Sequence, residues 1–178
     1  MTDVSLRGDP ILLSKRRLTL GDAEALARFY ERLSPEAVHV FDPFGGADRE
    51  TIAGHMEGVA QGRHTACVVV DEGGAVRGHA FILDVGAAAP VFGIGLHDEA
   101  QGLGWGRRMM ADIIAEADRM GVPLVTLTVC KSNYRARALY RSFGFRELRD
   151  HHGREEHDSL YCERRLYPAI RRGAAGDG

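Results

Sequence analysis

The sequence predicts a single α/β domain built on a mixed β-sheet, and three observations carry that expectation. Residues 65–96 hold three apolar, β-branched runs separated by short glycine-rich turns, the pattern of an antiparallel meander. From Gly106 the period becomes helical, and the doubly apolar run "LVTLTVC" follows. Strand, helix and strand in that order require a right-handed crossover and a locally parallel pair.

The elements follow in chain order. "ILLSKRRLTL" reads as a strand, after which Asp22 is placed to cap a helix with Ala25, Leu26, Phe29 and Leu33 on one face. "SPEAVHVFDPFGG" reads as irregular, and a second helix follows with Ile52, Met56, Val59 and Ala60 apolar. "HTACVVVD" and "AVRGHAFILDV" form a hairpin around "EGG"; "GAAAP" turns the chain into the strand "VFGIGLH". The third long helix buries Met109, Met110, Ile113, Ile114, Ala117 and Met120, and Gly121 with Pro123 ends it. Ser132 or Asn133 caps a shorter helix carrying Ala136, Leu139, Tyr140 and Phe143, closed by Gly144. "FRELRDH" and "SLYCERRL" make a last hairpin that turns at "HGREEH". Residues 1–170 form the one expected domain, and 171–178 a frayed tail.

The chain has 178 residues, 44% hydrophobic and 27% charged, enough for one core. A net charge of −2 gives no electrostatic reason to expect nucleic acid or an anionic membrane as partner. No apolar run approaches the roughly 18 residues that span a bilayer, and "MTDVSLRGDP" lacks signal-peptide character. Cys67, Cys130 and Cys162 are odd in number and lie in strand-like text, which suits buried thiols in a cytoplasmic enzyme. The spacing of His151, His152 and His157 fits no standard metal site, and no metal is expected.

The segment most charged with function is "QGLGWGRR", residues 101–108. Glycines at 102, 104 and 106 keep side chains away while the chain enters a helix, whose start carries unpaired N–H donors and partial positive charge. That is an anion site. It lacks the Gly-Lys-Ser/Thr ending of a P-loop, and its G-x-G-x-G spacing is not the dinucleotide fingerprint.

"QGLGWG" matches Q/R-x-x-G-x-G/A, and "NYRARALYRSFGF" matches N-x-x-A-x-x-x-Y-x-x-x-G-F about 30 residues later. On both motifs the chain resembles the GCN5-related N-acetyltransferase (GNAT) family, most strongly over residues 91–145. The resemblance implies a GNAT-like fold: a sheet splayed between its fourth and fifth strands, flanked by about four helices, with acyl-CoA in the gap. It implies an acetyl-CoA-dependent N-acetyltransferase acting on a primary amine of a small molecule or peptide, as monomer or homodimer. Leu96 would pair its backbone with the pantetheine arm. Gln101, Gly102, Leu103, Gly104, Trp105, Gly106 and Arg107 would surround the pyrophosphate, with Arg108 adding charge and Asn133 completing the cofactor site. A bare Cβ at Gly104 or Gly106 would crowd the phosphate or strain the turn.

The same resemblance assigns Tyr140 as general acid to the departing thiolate, a phenol being still protonated at neutral pH. "VFGIGL" carries neither the Glu nor the His that many relatives place there, so the base is unassigned among His79, Asp84, His97 and Glu99. Phe41 and Phe44 are placed to wall the acceptor site, and Asp42 to draw in a cationic amine. Two other readings remain: a non-catalytic acyl-CoA-binding or sensor module, and an enzyme with a longer acyl donor or an oxygen acceptor.

Overall fold

The computed structural model describes residues 12–41, 44, 48–151 and 158–166, the side chains of 39 and 40 excepted. Among these residues seven strands form one sheet in the order β1-β2-β3-β4-β5-β7-β6. They are β1 (Leu13–Arg17), β2 (Thr65–Asp71), β3 (Val76–Leu83), β4 (Val91–Leu96), β5 (Leu124–Cys130), β6 (Arg146–His151) and β7 (Ser159–Arg165). The pair β4–β5 is parallel and every other neighbour pair antiparallel, giving the mixed sheet that strand spacing and crossover required.

Among the described residues five α-helices cover it: α1 (Ala23–Glu31), α2 (Pro35–Val40), α3 (Arg49–Ala60), α4 (Trp105–Arg119) and α5 (Tyr134–Ser142). Alternation along the central strands supplies both faces with apolar residues. Cys67, Val69, Ala80, Ile82 and Phe92 pack under α4 and α5 with Met109, Met110, Ile113, Ile114 and Ala117. On the opposite face Ala66, Val68, Val70, Val76 and Phe81 pack under α1 and α3 with Leu26, Phe29, Ile52 and Met56.

Three local expectations are corrected and one open choice, the cap of α5, is settled. Part of the segment read as irregular is α2, started by Ser34, whose hydroxyl accepts from the Ala37 amide, with Pro35 supplying a preset first-turn φ. Asp22 holds the N-cap position of α1 but its side chain bonds no α1 amide: its carboxylate accepts from the Thr19 amide at 2.9 Å and from Arg16 at 2.6 and 2.7 Å, fastening a short 3-10 turn. Asn133, not Ser132, caps α5, its Oδ1 accepting from the Ala136 amide at 3.0 Å. Met120 lies past the end of α4 and is 41% exposed. Gly121 and Gly144 close α4 and α5 at φ 72° and 87°, as their spacing predicted. The hairpin tip with His152 and His157, and the tail 171–178, lie outside the described residues.

Candidate active site

The two parallel strands meet at one Cα pair, Val91 with Thr126, among the described residues. Thr126 secures that end, its amide and hydroxyl both donating to the Pro90 carbonyl, at 2.8 and 3.0 Å. Beyond it β4 and β5 diverge around a cleft of about 680 Å³, the size of a small-molecule site. Phe92, Ile94 and Leu96 line it from β4, Thr128 and Val129 from β5, Leu139 and Tyr140 from α5. At its far end stand Gly102, Gly104 and Gly106.

The glycine loop is built by local constraints. Gln101 donates from Nε2 to the Leu96 carbonyl at 3.2 Å and to Asp98 at 3.0 Å, folding the loop back on the end of β4. Gly102 and Gly104 sit at φ 77° and 82°, where an L side chain is strained. Gly104 is the N-cap of α4, so Trp105, Gly106 and Arg107 present first-turn N–H groups without intrahelical acceptors. The first turns of α1, α2 and α3 each hold a glutamate; that of α4 holds no acid. Its partial positive charge is therefore uncompensated by the chain. Gly106 has an ordinary helical φ. A Cβ there would sit 3.4 Å from Leu96 and 3.7 Å from Leu139, in the mouth of the cleft.

Of the residues expected at the cofactor, Leu96, Gln101, Gly102, Gly104, Gly106, Arg107 and Asn133 line this cleft, and Tyr140 lines it with them. Leu103 and Trp105 do not. Leu103 points outward, 59% exposed. Trp105 packs on the α4 core, with the Arg108 guanidinium 4.9 Å from its ring centroid, which also takes Arg108 away from the cleft. Arg135 takes the place expected of Arg108: it lines the cleft, with Nη2 4.0 Å from the Cβ position of Gly102. Its signal was present in "NYRAR", where the second position after a helix-capping asparagine faces the same opening as the cap.

Tyr140 is half-buried, its ring edge-on to Phe92 at 6.0 Å and tilted on Phe145 at 6.1 Å. Among the described residues its hydroxyl has no hydrogen-bond partner. Burial, and secondarily the neighbouring Cys162, raise its pKa above the ordinary phenol value, so it stays a proton donor through the neutral and mildly basic range.

None of the four base candidates lines the cleft. His79 is fully buried, its Nδ1 2.9 Å from the Tyr30 hydroxyl and its Nε2 3.3 Å from His55 Nε2. Asp84 faces outward beside Arg63 and His64 at 3.9 and 3.7 Å. His97 stacks on Phe29 and bonds its carbonyl through Nε2 at 2.9 Å; Glu99 pairs with Arg77 at 2.9 Å. The cleft-lining residues thus comprise two guanidiniums and one phenol but no carboxylate or imidazole, among the described residues. Phe41 lines the cleft, whereas Phe44 packs behind it on Phe81 at 5.4 Å; Asp42 lies outside the described residues. All three cysteines are unpaired and buried, and burial pushes Cys67 up to about 12 and Cys162 up to about 11. The described residues contain no group of three or more His, Cys, Asp or Glu able to hold a metal ion.

The mixed sheet thus parts around a cleft that ends at a glycine-lined helix start. The sequence profile of the acetyltransferase (GNAT) family matches residues 24–145, and the chain belongs to that family. The fold is shared with a GNAT-family acetyltransferase from Streptococcus pneumoniae (18% identity, 87% of this chain and 100% of that one, TM-score 0.71). It is also shared with the ribosomal-protein-S18-alanine N-acetyltransferase of Escherichia coli (20% identity, 90% and 98%, TM-score 0.68). A third is the spermidine N-acetyltransferase of Vibrio cholerae, determined with CoA and spermine (18% identity, 85% and 94%, TM-score 0.65). No curated protein sequence matches the chain significantly.

Proposed function

We propose that the protein transfers an acetyl group from acetyl-CoA to a primary amine by direct attack. One observation carries this reading: the β4–β5 gap runs from an apolar interior, past Tyr140, to the unblocked first-turn amides of α4. The diphosphate would rest on the amides from Gly102 to Arg107, in the partial positive field of the helix, with Arg107 and Arg135 adding full charges. Leu103 and Trp105 contribute there through the backbone alone, their side chains being turned elsewhere. The pantetheine arm would lie along β4 toward Leu96, in a channel that Gly106 leaves wide.

Acetyl-CoA brings the activated thioester; the chain positions it and manages protons. A β4 amide facing the gap would donate to the carbonyl oxygen as charge develops there, worth about 3 kcal/mol for a well-placed donor. Tyr140, with its hydroxyl uncommitted and its proton tightly held, would protonate the departing sulfur. The absence of a carboxylate or imidazole from the described lining favours one rival, a module that binds acyl-CoA without turnover. Thiol release with acetyl-CoA and a panel of amines separates the two: the enzyme releases CoA in proportion to added amine, the sensor only binds. No described helix is long and apolar enough to cross a membrane. With small-molecule amines as partners, a cytoplasmic location fits this activity.

A further inference from the structure

Resting on that reading, we infer that His79 and Tyr30 are positioning residues that hold the Phe41 ring against β4. There the ring closes the acceptor side of the cleft and keeps water from the bound thioester. Leu139 and Tyr140 reach the cleft from α5, on the side of the donor. Leu33, Ala37 and Phe41 reach it from the α1–α2 side, the side left for an amine, or for water, to approach. Phe41 is the C-cap residue of α2, and its amide donates to the Ala37 carbonyl at 2.8 Å. Its ring is placed by other elements. A Cβ on Gly95 would lie 2.2 Å from Phe41 Cε1, so the ring fills the space that glycine leaves on β4. The Tyr30 ring stacks beside it, 6.0 Å between centroids and 20° between planes.

Tyr30 is itself held from behind. His79 pairs in register with Gly95, and paired residues of an antiparallel ladder share one face of the sheet. Its imidazole is wholly buried, with Nδ1 2.9 Å from the Tyr30 hydroxyl and Nε2 3.3 Å from His55 Nε2. Burial, and then the neighbouring His55, hold it neutral. The chain ends at His55 Nδ1, which is buried and has no hydrogen-bond partner among the described residues. A wholly apolar core would carry no such cost, and Phe29, Phe44 and Phe81 already pack around the pair. What the polar chain adds is direction. Aromatic packing alone tolerates several offset and edge-on arrangements, whereas a bond at the Tyr30 hydroxyl fixes how that ring lies, and so where Phe41 rests.

The test follows amine-independent release of CoA from saturating acetyl-CoA, in which water attacks the thioester and yields acetate and the free thiol. CoA binding by calorimetry and the thermal midpoint are measured beside it. Tyr30→Phe removes one oxygen and keeps the ring; it should raise this hydrolysis about fivefold, with CoA affinity within about twofold of wild type. Phe41→Ala should raise it about tenfold or more. In the Phe41→Ala background, adding Tyr30→Phe should raise it no further, the signature of a residue that acts through another. His79→Leu should match Tyr30→Phe. His79→Gln, which can still bond the Tyr30 hydroxyl, should return hydrolysis to within about twofold of wild type. Unchanged hydrolysis in Tyr30→Phe and Phe41→Ala, both folded and binding CoA, would overturn the inference. So would additive effects of the two substitutions, or a lower thermal midpoint as the sole change, which is the result of ordinary packing. Should the alanine or leucine variant fail to fold, Tyr30→Phe against wild type decides. Failure of the wild-type protein to bind CoA would overturn the acetyl-transfer reading itself, a distinct result.

Discussion

Val91 and Thr126 are the Cα pair at which β4 meets β5, and among the described residues no second pair follows. A parallel pair normally continues its evenly spaced ladder along both strands. Here pairing stops at once, and the backbone groups of both strands that would have bonded each other face the cleft instead. The cleft is thus a break in the sheet, pinned at one end by Thr126 on Pro90 and floored at the other by the start of α4.

Tyr140→Phe removes one oxygen that, among the described residues, has no protein hydrogen-bond partner, so folding should be unaffected. The kcat should fall about 10²-fold with KM for acetyl-CoA little changed. Because burial holds the phenol pKa above its usual value, wild-type kcat should show no loss attributable to this group between pH 7 and about 10. Steady-state kinetics across that range check both statements.

Gly104→Ala places a Cβ at φ 82°, a conformation that costs an L residue about 1–2 kcal/mol. If the loop escapes the strain by rotating its amides, CoA affinity should drop about tenfold. Gly121→Ala imposes similar strain at φ 72° on the far end of α4, away from the cleft. It should lower the thermal midpoint without altering CoA affinity, and calorimetry on both variants separates the two effects.

Arg135→Gln should raise KM for acetyl-CoA by about tenfold while kcat stays within about twofold, the loss of one charge-assisted contact made equally in ground and transition states. Arg108→Gln, whose guanidinium stacks on Trp105, should change neither constant appreciably.

Stability should fall with acidity in two windows of different origin. His55 is buried and neutral, its pKa driven down to about 4 by desolvation and then by His64, so the unfolded chain binds a proton more readily below pH 6.5. Stability is therefore lost as pH falls from 6.5 toward 4, by roughly 3 kcal/mol at most, and His79 acts in the same direction. Asp22 is held at about 2 chiefly by its hydrogen bonds from Arg16, so its contribution is present above its unfolded value near 3.8 and disappears as pH drops toward 2. Denaturant melts from pH 7 to pH 2 should show both declines, and Asp22→Asn should shrink the second, to which Glu116 beside Arg119 and Arg17 also contributes, while leaving the first.

The sequence made the sheet legible where side-chain pattern alone determines the outcome. The crossover at α4, the closing glycines 121 and 144 and the meander of β2, β3 and β4 each follow from period and punctuation. Less legible was whatever depends on which neighbour reaches a polar group first. Asp22 has the spacing of a cap, yet Arg16 is close enough to claim its carboxylate. Most residues expected at the cofactor line the cleft because glycines at forced φ leave the loop few alternatives; Trp105 and Arg108 turn away because each finds the other. The acceptor side was least readable. In "VFGIGL" only the lack of a Glu or His was legible; that Phe81 and Phe41 fill the space beside Gly93 and Gly95 depends on packing from distant elements.

Titration of the protein with coenzyme A and, in parallel, with pantetheine tests the central claim most directly, since the two differ by the part carrying the diphosphate. Calorimetry should record saturable, one-to-one binding of coenzyme A, and affinity for pantetheine weaker by about 10²-fold or more. Equal affinities for the two, or no heat with coenzyme A, would contradict the assignment of the α4 entrance as a diphosphate site.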